Sequence, residues 1–235
     1  MKKTFIKTKN VKNFVALMEE LKELPPNMSK IALVYGEYGL GKSQTIQWWA
    51  AKNNAVYVRA NRGMTERWLL SKMTKDMDIT TSWHSQSNFE LIQKSLLENP
   101  KVIIVDEADY LLKDSIIETL RDLHDTTKCP LVLVGMENIE RKLTSLPHLC
   151  DRIYKSYKFE RYDVDDVRTI LKELSELEFT DDGVEYLATR ANQFRQILKL
   201  VNKIENLANT NQIEVLDETT LKGLLNERPN LKVMP

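Results

Sequence analysis

The 235 residues carry 34 Lys and Arg against 34 Asp and Glu, so the formal net charge is zero. That balance excludes a uniformly basic nucleic-acid-coating domain and leaves a local basic strip as the route to such a partner. Hydrophobic content of 42% with 29% charged residues suits a globular chain of one large domain, or one large and one small, and no apolar run approaches the ~18 residues of a membrane span.

Cys129 and Cys150 form no metal-like pair, and the basic start Met1-Lys2-Lys3 lacks the apolar core of a secretion signal. A reduced, cytoplasmic setting is therefore expected. His84, His124 and His148 are too scattered for a zinc site and read as surface or satisfied core residues.

Apolar positions at Val11, Phe14, Val15, Leu17, Met18 and Leu21 predict a helix over residues 10–24, stopped by Pro25-Pro26. The run Ile31-Ala32-Leu33-Val34-Tyr35 predicts a buried strand. It leads into Gly36-Glu37-Tyr38-Gly39-Leu40-Gly41-Lys42-Ser43, which fits the phosphate-loop pattern of Gly, four residues and Gly-Lys-Ser/Thr, and then into a helix from Gln44. A strand, a glycine turn and a helix start aim several backbone N–H groups at one point, which suits a phosphate. Lys42 would neutralise β- and γ-phosphate charge, and the Ser43 hydroxyl would ligate Mg²⁺. The alternative, an ordinary glycine-rich turn, does not require the flanking strand and helix.

A strand over residues 55–58 follows, then a polar connection and a helix over 68–77. Ser87 or Asn88 is expected to cap a helix over 89–98. Trp48 and Trp49 on the loop helix read as core residues. The strand over residues 101–105 ends in Asp106-Glu107, the expected partner of a phosphate loop. Asp106 would hold Mg²⁺ through water, and Glu107 would orient and deprotonate an attacking water. A helix over 115–125, a strand over 131–135 and a short helix over 139–143 come next. From residue 163 onward four helical patterns occur and the strand signal disappears. The expected fold class is α/β: a P-loop parallel sheet between helices over residues 1–160, then a small all-helical lid over 161–235.

The loop, the run Asp106-Glu107-Ala108-Asp109 and the helical tail resemble an AAA+ ATPase. With Val11-Lys12-Asn13-Phe14, the loop and Leu133-Val134-Gly135-Met136-Glu137-Asn138, the chain is similar to the phage Mu transposition protein B family and related transposon helper ATPases. That resemblance implies ATP and Mg²⁺ as cofactors and a binding set of Gly36, Glu37, Tyr38, Gly39, Leu40, Gly41, Lys42, Ser43, Gln44, Asp106, Asn138 and Arg195. Arg152 sits where such proteins place an arginine finger for the neighbouring subunit, and Arg195 matches the sensor-2 arginine of the lid. Together with Lys42 and Glu107 these form the implied catalytic set. The sensor-1 position departs from the pattern: Gly135-Met136 stands where Asn or Thr is usual, leaving Asn138 to reach back.

The resemblance further implies a homo-oligomer, ring or helical filament, that binds double-stranded DNA without sequence preference and hands it to a transposase. The Mu-type N-terminal DNA-binding extension has no match, so DNA contact is expected from the core. Arg59, Arg62, Arg67, Lys72, Lys75 and Lys113 are the candidate phosphate contacts. The bland reading of these cations is a solvated helix face. Two alternatives use the same core: an initiator or helicase-loader ATPase of replication, and a nucleotide-gated interaction module with little turnover.

Overall fold

The computed structural model describes residue 2 and residues 4–112 and 116–226, so the DNA candidate Lys113 lies outside the described residues. The chain divides into two compact units: Val11–Tyr38 with Lys42–Glu160, and Gly39–Gly41 with the described parts of residues 1–10 and 161–235.

The first unit is built on parallel strands. Helix α1 (Lys9–Glu23), which enters this unit from Val11 onward, precedes β1 (Ile31–Tyr35), α2 (Lys42–Asn53) and β2 (Val56–Arg59). Then come α3 (Glu66–Asp76), α4 (Ser85–Glu98), β3 (Ile103–Asp106), a 3₁₀ turn (Ala108–Tyr110), α5 (Ile116–Thr127) and β4 (Leu131–Val134). Two short helices, α6 (Ile139–Leu143) and α7 (Pro147–Cys150), lead to β5 (Ile153–Lys158). The sheet order is β2-β3-β4-β1-β5, with every pairing parallel.

The central strands β1, β3 and β4 read as apolar runs because helices cover both faces. Ile31, Leu33, Ile103, Val105, Leu131 and Leu133 are fully or almost fully buried, each contributing about 1.5–3 kcal/mol by leaving water. On α1, Phe14 packs edge-on against Trp49 of α2 with ring centroids 6.1 Å apart. Trp49 is therefore core as expected, whereas Trp48 is only half-buried. Buried His124 touches the Cys129 carbonyl through Nδ1 at 2.8 Å and Ser29 Oγ through Nε2 at 3.3 Å. Burial pushes its pKa down, keeping the ring neutral.

Two local expectations need correction. Helix α4 starts at Ser85, with His84 at the cap position and no side-chain cap bond. Asn88 lies inside the helix instead, where its buried amide exchanges two hydrogen bonds with the Ser82 backbone at 2.7 and 3.1 Å. Strand β5 is the second difference: no strand is expected there, because IYKSYK offers neither an apolar run nor a regular alternation, as an exposed sheet edge allows. Tyr154 and Lys155 of this strand reach Glu20 of α1 at 2.8 and 2.6 Å.

The second unit contains α8 (Val164–Leu174), β6 (Glu178–Phe179), α9 (Asp181–Arg190), α10 (Phe194–Asn211), β7 (Val215–Leu216) and α11 (Glu218–Asn226). The Asp163 carboxylate caps α8 by accepting from Asp166 N at 2.8 Å. Its helices enclose a core that includes Ile170, Leu187, Val201, Ile204 and Leu221. The all-helical expectation misses β6 and β7, a two-residue parallel pairing that closes the loops ahead of α9 and α11. The described residues up to Asn10 belong here too: Lys2 N donates to Leu174 O, Lys9 N at the start of α1 donates to Asp166 Oδ1, and Ile6 is in the core.

Candidate nucleotide site

Strand β1 ends in the glycine loop and α2 begins at Lys42. A side chain at Gly36 is impossible without rebuilding the turn: φ is +148°, and a Cβ there would meet the Phe159 carbonyl oxygen at 2.7 Å. Gly39 and Gly41 also adopt positive φ, +78° and +85°. Lys42 is buried, and its ammonium donates to the Gly36 and Glu37 carbonyls at 2.7 and 2.6 Å. Desolvation pulls its pKa down, opposed by Asp106, Asp109, Glu137 and Glu37. Ser43 is half-buried; Tyr38 and Gln44 are exposed.

The sheet register brings the acidic strand end to the same edge. Val105 pairs with Leu133, which pairs with Leu33, so Asp106 falls in the row of Val34, two residues before the loop begins at Gly36 and two strands away, roughly 10 Å at the usual spacing. Asp106 is 2% exposed. Its Oδ1 accepts from Glu107 N and its Oδ2 from the Tyr57 hydroxyl, both at 2.9 Å. Tyr57 Oη in turn accepts from Gln47 Nε2 at 3.0 Å, and burial pushes the phenol pKa up to about 12. Glu107 stands at φ +55°, a left-handed backbone that turns its carboxylate outward to Arg59 at the end of β2. The two form an ion pair, and Arg59 is the register partner of Asp106.

The sensor-1 position is shaped by Asp109. Its carboxylate accepts from Met136 N at 2.7 Å and from Lys142 Nζ at 2.8 Å. A Cβ on Gly135 would lie 2.2 Å from Ile139 Cδ1 and 2.5 Å from Asp109 Oδ2, so the Ile139 side chain and this carboxylate together leave it no room. Gly135→Ala is expected to cost about 1–3 kcal/mol by overpacking. A thermal melt with an unchanged midpoint would contradict that. Asn138 stands at the start of α6, exposed and making no side-chain cap bond.

Arg152 folds back on its own unit. Nε and Nη2 fork onto the Asp125 carboxylate at 3.2 and 3.1 Å, and Nη1 donates to His148 O at 3.1 Å. The Arg152 side chain is 38% exposed, so the pair is worth no more than about 1 kcal/mol and can be exchanged for another anion. In the helical unit, Arg195 N donates to Gly39 O at 3.1 Å and the Arg195 side chain is exposed; Tyr162 donates its hydroxyl proton to Leu40 O at 2.8 Å.

The other cations surround α3. Arg67 lies 5.0 Å from the Trp83 ring centroid and Lys72 5.5 Å from that of Trp68, while Lys72 Nζ also donates to Arg59 O. Arg62 and Lys75 are exposed. Sequence reading missed Tyr57 and Gln47. The only signal was a tyrosine in the strand ahead of Arg59, and that signal becomes specific only once the pairing with β3 is known.

A phosphate loop and an acidic strand end on one edge of a β2-β3-β4-β1-β5 parallel sheet define the P-loop AAA+ fold. Residues 28–143 match the family described as AAA domain (AAA_22). A Staphylococcus aureus protein described as "Potential ATP-binding protein" is 25% identical, over 89% of this chain and 91% of its own length. Among solved structures, the Aeropyrum pernix ORC2 protein in its ADPNP-ADP complexes superposes with a TM-score of 0.72 at 15% identity, covering 95% of this chain and 73% of that one. The Thermotoga maritima RuvB Holliday junction branch migration motor gives 0.63 at 19% identity, over 94% and 69%. Drosophila ORC bound to DNA gives 0.61 at 18%, over 92% and 59%. No helix among the described residues is long and apolar enough to cross a membrane.

Proposed function

We propose that this chain is an ATP-hydrolysing AAA+ protein that assembles on double-stranded DNA. The observation that carries the reading is the arrival of buried Asp106 and of Glu107 at the sheet edge where the glycine loop begins. The donor set fits Mg²⁺ held in the usual sparse way: one carboxylate, Asp106, and one hydroxyl, Ser43, with phosphate and water oxygens completing the shell. Mg²⁺ bound there would neutralise phosphate charge. Lys42 would exchange its loop carbonyls for phosphate oxygens, and Glu107 would take the proton of the attacking water. The assignments of Arg152 as a finger for the neighbouring subunit, of Arg195 as a lid sensor and of Asn138 at sensor 1 rest on the sequence resemblance.

The DNA reading draws support from the cations around α3 and from the DNA-bound structure among the similar proteins. Arg59 couples the two. While the two are paired, the Glu107 carboxylate is occupied by the guanidinium; a DNA phosphate that takes Arg59 would free it to reach a water. Duplex DNA is therefore expected to raise steady-state phosphate release, and the stimulation should fade with salt. A complete lack of turnover with and without DNA would sink the ATPase reading. Turnover that ignores DNA would remove the DNA part alone. Mixing Arg152→Ala with Glu107→Gln protein should restore some activity if sites are shared between subunits, and no rescue at any ratio would remove the finger.

The similarity to Mu-type helper ATPases supports a transposase as recipient of the bound DNA. A second reading, a nucleotide-gated module with little turnover, is favoured by one observation: Gly135 and Met136 stand where a polar sensor would, with Asp109 packed against them.

A further inference from the structure

We propose that Tyr57, itself held by Gln47, is a positioning residue that fixes the Asp106 carboxylate for Mg²⁺. The inference rests on the nucleotide reading above and assigns a role that the phosphate loop and acidic pair do not include.

The direction of the hydrogen bonds carries it. A side-chain amide nitrogen only donates, so the Tyr57 oxygen accepts from Gln47 Nε2 at 3.0 Å and its one proton is left for Asp106 Oδ2 at 2.9 Å. Oδ1 is already held by Glu107 N. With one fixed donor on each oxygen, the buried carboxylate is held in a single orientation, and each oxygen keeps a lone pair for a metal. Parallel register places Tyr57 opposite Ile104 and Arg59 opposite Asp106, so all four side chains lie on one face and Tyr57 reaches Asp106 diagonally. Gln47 belongs to α2, the helix that starts at Lys42. The chain Gln47–Tyr57–Asp106 therefore ties the helix bearing the phosphate-binding lysine to the strand bearing the metal-binding acid, across β2. A shift of either would be felt by the other.

Tyr57→Phe keeps the ring and deletes only the hydroxyl. The test is titration of the full chain with the non-hydrolysable nucleotide ADPNP, once in MgCl₂ and once in EDTA. Loss of a partner that orients a metal ligand typically costs about 10–100-fold in metal affinity. Tyr57→Phe is therefore expected to weaken ADPNP binding about tenfold or more in MgCl₂ and to leave the EDTA affinity unchanged. Gln47 is exposed, so Gln47→Ala keeps the test alive if Tyr57→Phe fails to fold; it should give a smaller loss, about threefold, again only in MgCl₂. Equal losses in both buffers would mean a merely structural role and overturn the inference. So would wild-type affinities in both buffers, leaving the nucleotide reading intact. Wild-type protein that binds ADPNP in neither buffer would remove both.

Discussion

Replacing Glu107 by glutamine is expected to cut phosphate release by about 10²–10⁴-fold while nucleotide binding stays within about twofold of wild type. The reasoning is geometric. Glu107 leaves the end of β3 on a left-handed backbone, beside a buried Asp106 whose two oxygens are already engaged. Glutamine keeps the size of the side chain and can still accept a hydrogen bond from Arg59. It cannot accept the proton of water. The variant should therefore stay loaded, and under the assembly reading it should remain on DNA. Two measurements check this together: single-turnover phosphate release, and retention on a DNA-coated surface with ATP. Turnover at the wild-type rate would take Glu107 out of the general-base role.

Lys42→Met should act on binding instead. Truncating one member of a buried charge pair costs about 2–5 kcal/mol, so ATP affinity is expected to fall at least about 30-fold. Folding should respond weakly. Burial already penalises the ammonium, as its lowered pKa reflects, and methionine removes that cost. Against this, the Gly36 and Glu37 carbonyls lose their donor. The two effects oppose each other, and the melting temperature is expected to move by only a few degrees, far less than a lost core residue would move it. A large drop in melting temperature would mean that Lys42 holds the loop together rather than waiting for phosphate.

Most of the α/β unit was legible because its central strands are buried on both faces. A strand such as Leu131–Val134 must be apolar throughout, and such a run is visible without knowing its neighbours. Strand β5 was invisible for the opposite reason. Its Lys155 and Lys158 face solvent or acidic partners, and its strand character comes from pairing with β1. The pairing β6–β7 is shorter still, two residues per strand. The misplaced start of α4 has a chemical origin: Asn88 looks like a cap, but its amide finds the Ser82 backbone inside the fold.

Local sequence fixed the identity of the phosphate loop, the acidic strand end and the helices, since glycine geometry, apolar runs and 3.6-residue periodicity act between near neighbours in the chain. Which side chains hold Asp106 and Glu107 was decided by tertiary structure. Tyr57 and Arg59 are far from them in sequence and meet them only through the β2–β3 register, where a slip of one residue would turn both to the opposite face. Gly135 is a mixed case: a Cβ there would meet Ile139, four residues on in the chain, and the Asp109 carboxylate, which arrives from the turn after another strand.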